Sequence, residues 1–333
     1  MNLPTVPVNP VLRRELVERM RGSRTAVVVS AYLLLLSGAL YLVYSTTRDA
    51  RTNPWESAVS QVAGAGRGIF EWLVFFMVLL VLFLVPGVTS GAIAGERERQ
   101  TLVPLQITLL RPTSILLGKI AASSAFLLLL LVATMPLLAV SYLIGGVTIG
   151  QVVTAMAMVA AIGLGLAAVT AGISACVRRV QAATVLAYGI TLLLVAGTFL
   201  AYEVAAMVDE SRGVDAANPP SWILVPNPLA AVADAVGEGW QPGGGSTSSP
   251  FDPFVDRINR ERIGGNVDFG FMEEMGPDGT VTRMAIDQNG NPIPLDADGS
   301  GFLWKSLGFL AVLAALGVAL GARRLRTPAA AER

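Results

Sequence analysis

Four consecutive residues, Glu96, Arg97, Glu98 and Arg99, alternate in sign within the segment GERERQTLVPLQITLLRPTSILLGK, residues 95–119. The run lies between two long apolar stretches. A signal that only holds a loop on one side of a membrane needs basic residues alone. Here two carboxylates cancel two guanidinium groups, so retention is not what the glutamates supply. Adjacent opposite charges point in several directions around a helix end and suit a specific polar partner. Behind them, Thr101, Leu102, Leu105 and Leu109 recur at helical spacing and predict a short amphipathic helix. Proline is tolerated in a first helical turn, so Pro104 places the start of that helix near Thr101.

Catalysis is largely excluded by what the chain lacks. It contains no histidine and one cysteine, Cys176. An imidazole base, Ser-His and Cys-His nucleophile pairs and histidine metal ligands are therefore absent, as is any internal disulfide. Asp287, Asn289, Asp296 and Asp298 do not follow the spacing of a calcium loop and read as turn residues. Gly118-Lys119 has neither the upstream glycine nor the following Ser or Thr of a phosphate-binding loop, so ATP binding is not expected on this chain. The formal net charge is zero, which gives no electrostatic reason for nucleic-acid binding.

The elements that must position the charged run are membrane spans. Of the 333 residues 53% are hydrophobic and only 14% charged, against about a quarter charged in soluble domains. Six apolar segments, at 25–45, 69–94, 120–145, 152–176, 181–203 and 303–322, are each long enough to cross about 30 Å of hydrocarbon. The fold class expected is thus an all-α polytopic membrane protein of six transmembrane helices.

Most of the basic residues fall on one side: Arg13, Arg14, Arg19, Arg21 and Arg24, the 95–119 loop, Arg178 and Arg179, and the 323–333 tail. That side is expected to be cytoplasmic, with both termini inside. Residues 1–24 read as a basic amphipathic helix at the membrane surface, opened by Asn9-Pro10 and kept in the mature protein. The 204–302 segment then faces outward. Within it, 221–237 reads as an interfacial or re-entrant helix, 237–254 as a flexible Gly/Ser/Pro stretch, and 277–299 as a small hairpin.

Ionisable groups are nearly missing from the span interiors. Glu71, Glu203 and Lys305 fall at predicted outer ends, within reach of water. Ion-coupled transporters usually carry a charged group at mid-membrane, and selective channels a charged ring or filter. The spans instead hold small residues, among them Gly163, Gly165, Gly172, Gly189, Gly197, Gly308 and Gly317, read as close helix packing. Pro86-Gly87 and Pro136 are expected to kink their helices. Energy for any transport has to arrive from outside the membrane section.

At this point the sequence resembles the ABC-2 family of ABC-exporter permeases. The family signature G-E-R-E-x-G-T-L, a Leu-rich stretch, a Pro/Ser/Thr turn and I-x-x-G-K is matched by Gly95–Leu102, Leu109–Thr113 and Ile115–Lys119. NPVLRRELVERMRGSRT, PLLAVSYLIGGV and SACVRRVQAATVLAY follow in family order. Gln100 departs from the pattern where a small residue is usual, and Val103-Pro104 replaces a frequent acidic-apolar pair.

The resemblance implies a multi-pass permease in the bacterial cytoplasmic (plasma) membrane, with two six-span subunits forming the pathway and separate cytoplasmic ATPase subunits carrying ATP and magnesium. Glu96, Arg97, Glu98, Arg99, Thr101 and Leu102 would form the ATPase-coupling contact, and Arg13, Arg14, Arg178 and Arg179 secondary contacts. Membrane lipids would be further partners. The alternative is a membrane anchor or assembly subunit that recruits a cytoplasmic ATPase and presents the outward segment to a partner.

Overall fold

A computed structural model describes residues 23–49, 58–100, 112–211, 219–236, 249–262, 270–275, 281–286 and 300–325. Among these, six helices are long and apolar enough to cross a membrane. They are α1 (Ser23–Asp49), α2 (Ala58–Thr89) continued by α3 (Gly91–Glu98), α4 (Pro112–Ile144), α5 (Ile149–Cys176), α6 (Val180–Leu192) continued by α7 (Thr198–Ser211), and α10 (Ser300–Leu325). The shorter α8 (Pro228–Val236) and α9 (Asp252–Arg262) lie between the last two spans. A two-stranded antiparallel hairpin, β1 (Gly270–Met275) with β2 (Val281–Ile286), is the one departure from helix among the described residues.

Each apolar segment read from the sequence is helical, with some moved edges. The second span extends from Gly64 to Glu98, and the fifth from Val180 to Val208. Helix α2 runs on through Pro86, and α4 through Pro136. The hairpin pairs β2 with β1, which lies ahead of the 277–299 stretch read as a hairpin. Of the stretch expected to be flexible, residues 249–254 are described. There the Ser249 amide donates to Asp252 Oδ2 (2.7 Å) and the Phe251 amide to Ser249 Oγ (3.2 Å), a reciprocal exchange in the turn that leads into α9. Residues 1–22 of the expected surface helix and the helix expected from Thr101 lie outside the described residues, and Ser23 and Arg24 belong to α1.

Helix α5 is the centre of the bundle. Its start is fixed by a capping box between Thr148 and Gln151. Its small residues let α10 approach backbone to backbone: a Cβ at Gly172 would sit 2.3 Å from the Gly317 carbonyl oxygen, and one at Gly317 would sit 2.7 Å from that of Ala168. Lipid is as apolar as leucine, so close van der Waals contact of this kind holds spans together where water cannot. Gly163 packs under the Leu127 side chain of α4 and Gly165 lies in ordinary contact with Leu310, whereas Gly189 and Gly308 face open space. Around α5, the α2 side chains Phe70, Leu73, Met77 and Val81 are buried.

The end of the bundle away from Glu96–Arg99 is closed by α8 and α9. All nine residues of α8 are buried, so within the 221–237 segment residues 228–236 form a packed short helix in contact with α5, α9 and α10, preceded by a 3-10 turn at Ser221–Leu224. Helix α9 buries Phe254, Val255 and Ile258 beside Phe251 just ahead of it, with Phe251 edge-on to Phe75 (5.8 Å) and Phe254 against Phe199 (5.5 Å). Glu203 pairs with Arg257 of α9. Glu71 does not reach water by itself as expected: it is buried and paired with Arg67 one turn earlier, at 2.8 Å. Gly66 packs on the Gly145 carbonyl in the α4–α5 turn, so this pair lies near that end of the span.

Candidate functional site

The charged run begins where the second span breaks. The Ser90 amide still donates to Pro86 O (2.9 Å), but α2 ends at Thr89 and α3 starts anew at Gly91. Ser90 does not cap α3 with its own side chain. A new helix exposes its first amide groups, and burial without partners would cost free energy for each. Ser174 of α5 satisfies two of them: its buried hydroxyl accepts from the Ile93 amide (3.0 Å) and the Ala94 amide (2.9 Å).

The favour is returned at the other end of α3. Helix α5 stops at Cys176, leaving its last carbonyls open. The Arg97 guanidinium donates to Val177 O (2.8 Å) and to Ala175 O (3.2 Å). A cation on the last turn of a helix also opposes the negative end of its dipole. So α5 caps the start of α3, and α3 caps the end of α5.

The neighbouring charges reach two further helices. Glu98 Oε1 accepts from the Val180 amide (2.8 Å), at the start of α6, where Arg179 makes no side-chain cap. A carboxylate there satisfies an open donor and suits the positive helix end. Lys119 of α4 donates to Glu96 Oε1 at 2.8 Å, with the ammonium side chain 3% exposed. Residues one apart on a helix are rotated by about 100°, since 3.6 residues make a turn. That rotation sends Glu96 to α4, Arg97 to α5 and Glu98 to α6. Arg99 remains exposed.

Helix α3 stops at Gln100. The Arg99 amide returns to Gly95 O and the Gln100 amide to Arg97 O, both at 3.1 Å. Gln100 has φ of +57°, a left-handed conformation that favours glycine. The departure from the family pattern noted at this position therefore falls on a residue whose backbone asks for a small side chain.

A polar seam continues from the junction along one face of α6. The Thr184 and Ser90 hydroxyls lie 2.8 Å apart, and the Tyr188 hydroxyl donates to Phe83 O at 2.8 Å. Val180, Thr184 and Tyr188 follow at steps of four, so α6 lies against the end of the second span through one row.

Of the residues singled out in the sequence, Glu96, Arg97, Glu98 and Arg99 are brought together on α3. Arg178 and Arg179 are exposed on the adjoining α5–α6 turn. Thr101, Leu102, Arg13 and Arg14 lie outside the described residues. Sequence reasoning missed Ser174 and did not pair Lys119 with Glu96, although both stand in quoted motifs. A lone serine near a helix end carries no sign of the amides it accepts from.

Six apolar helices packed on a small-residue core, with a polar junction at one end, define a multi-pass membrane protein. The family described as "ABC-2 family transporter protein" matches residues 29–323, and the chain belongs to that family. It is accordingly a membrane-spanning permease subunit of an ABC transporter, a transport subunit of a kind that associates with ABC ATPase partners. None of the curated proteins compared with the chain matches it.

Proposed function

We propose that the chain is the permease of a bacterial ABC exporter, acting as a dimer in the cytoplasmic membrane with both termini inside. The α3 junction then faces the cytoplasm and couples the spans to separate ATPase subunits, which carry ATP and magnesium. The ATPase contact runs from the junction into the following loop: Arg99, Thr101 and Leu102 meet the partner, while Glu96, Arg97 and Glu98 pass its motion on. Arg178 and Arg179 beside it, with Arg13 and Arg14, add secondary contacts, and the span surfaces contact lipid.

The observation that supports this reading is the fan of bonds from α3 to α4, α5 and α6. A push on α3 reaches three spans through one residue each, as a transmission element requires. Charge reversal of Glu96 or Glu98 would also break bonds inside the chain, so Arg99→Glu is the cleaner variant. The full-length permease is co-purified with its ATPase subunit from membranes. Arg99→Glu is expected to lower ATPase retention by about tenfold, equivalent to about 1.4 kcal/mol, with the permease's own melting midpoint unchanged. Unchanged retention and unchanged ATP-driven export would overturn the assignment.

A further inference from the structure

The fifth span is not one helix. Between α6 and α7, residues Leu193–Gly197 form a π turn, in which the Thr198 amide reaches back to Leu193 O. A π turn widens the helix and shifts carbonyls out of their usual pairing, and such turns are common bending points at functional sites. Here the displaced carbonyls are taken up individually. Leu194 O accepts from the Thr198 hydroxyl (2.6 Å), and Val195 O accepts from Asn227 Nδ2 (2.9 Å).

Asn227 is fully buried and is used on both sides. Its Nδ2 also lies 3.0 Å from Thr198 Oγ1. Its Oδ1 accepts from the Leu229 amide (2.9 Å) and the Ala230 amide (3.4 Å), capping α8, whose first residue is Pro228. The acceptor and donor roles fix the orientation of the amide. One side chain thus caps a packed helix and holds the π turn open.

The two halves of the span belong to different bodies. α6 is tied to the second span through Glu98, Ser90 and Phe83. α7 is tied to α8 and α9 through Asn227, the Glu203–Arg257 pair and Phe199 on Phe254. We infer that the fifth span bends at Leu193–Gly197 during the transport cycle, and that Asn227 is the positioning residue that fixes the outer half while the inner half moves with α3. This rests on the coupling role proposed for α3. In an unbroken helix, motion of α6 would carry α7 and strip it from α8.

The test uses the full-length permease with its ATPase subunit in lipid nanodiscs, in a Cys176→Ser background. Nitroxide pairs are placed at exposed positions: Val185 with Val204 across the π turn, Val204 with Trp304 at the outer end, and Val185 with Leu117 at the inner end. Trapping with ATP and vanadate is expected to change the Val185–Val204 distance by at least about 2 Å, the scale of helix shifts in switching proteins, with the other two distances constant. A constant Val185–Val204 distance with a change in either other pair means a rigid span, which sinks the hinge and leaves coupling standing. No change in any pair sinks the coupling reading as well.

Asn227→Ser keeps a hydroxyl cap on α8 but cannot reach Val195 O, whereas Asn227→Ala loses both functions. Hydrogen exchange at Leu229 and Ala230 is expected to rise in Asn227→Ala only. The nucleotide-driven Val185–Val204 shift is expected to fall by at least half in both variants. A wild-type shift in Asn227→Ser would make Asn227 a helix cap and nothing more.

Discussion

The two ends of the bundle each place an arginine against a neighbouring helix, and use it in opposite ways. Arg97 spends its donors on backbone carbonyls of α5, at the one place where a helix end leaves them open. Arg257 pairs with the Glu203 carboxylate and lies over the Phe199 ring (4.9 Å) and the Tyr202 ring (5.8 Å). Bonds to helix ends fix register, because a helix shifted by one residue presents a different group. Ring and ion contacts tolerate sliding, since a π face and a carboxylate accept a cation over a range of positions. The junction end is therefore fixed in register as a block, and the opposite end is held by area.

The largest expected effect breaks the block. Glu96→Ala removes the carboxylate that faces the buried Lys119 ammonium, and removal of one partner from a buried pair costs about 3–5 kcal/mol. Unfolding in mixed micelles is expected to show that loss. The double variant Glu96→Ala with Lys119→Met removes both charges and is expected to recover most of it. No recovery in the double variant would mean that Glu96 supports the junction through some route other than Lys119.

At the opposite end, Arg257→Ala is expected to cost only about 1 kcal/mol, the sum of a part-exposed ion pair and a ring contact. The same unfolding assay measures it. High salt should shrink the difference between wild type and variant, as screening acts on a part-exposed pair. A loss as large as that of Glu96→Ala would erase the contrast between the two ends.

How much of this was legible beforehand follows from where the partners lie. The spans were readable because each is a local apolar run, and the alternation Glu96–Arg99 because its four residues are adjacent. Their targets were not: Lys119 is 23 residues from Glu96, and Val180 is 82 from Glu98. Periodicity reports which face of a helix is apolar and says nothing about which distant helix end meets it. Asn227-Pro228 is a different case. It repeats the Asn-Pro helix start read at Asn9-Pro10, so the cap on α8 was within reach of the same rule. The π turn had no local sign, since Leu193–Gly197 has ordinary span composition.

The smallest effect concerns the residue that ends α3. Gln100 is exposed and, among the described residues, is the one non-glycine with positive φ. A side chain in that region costs about 1–2 kcal/mol, against which glycine loses about 0.5–1 kcal/mol more chain entropy on folding. Gln100→Gly is thus expected to stabilise the permease by about 0.5–1 kcal/mol, seen as a raised melting midpoint. Gln100→Val is expected to lower it, because a branched Cβ fits the left-handed region worst. These shifts arise in the backbone turn alone, so they leave the bonds to α4, α5 and α6 intact and separate the stop of α3 from its anchoring. A destabilised Gln100→Gly variant would mean that the glutamine side chain, and not the turn, is what the junction uses at this position.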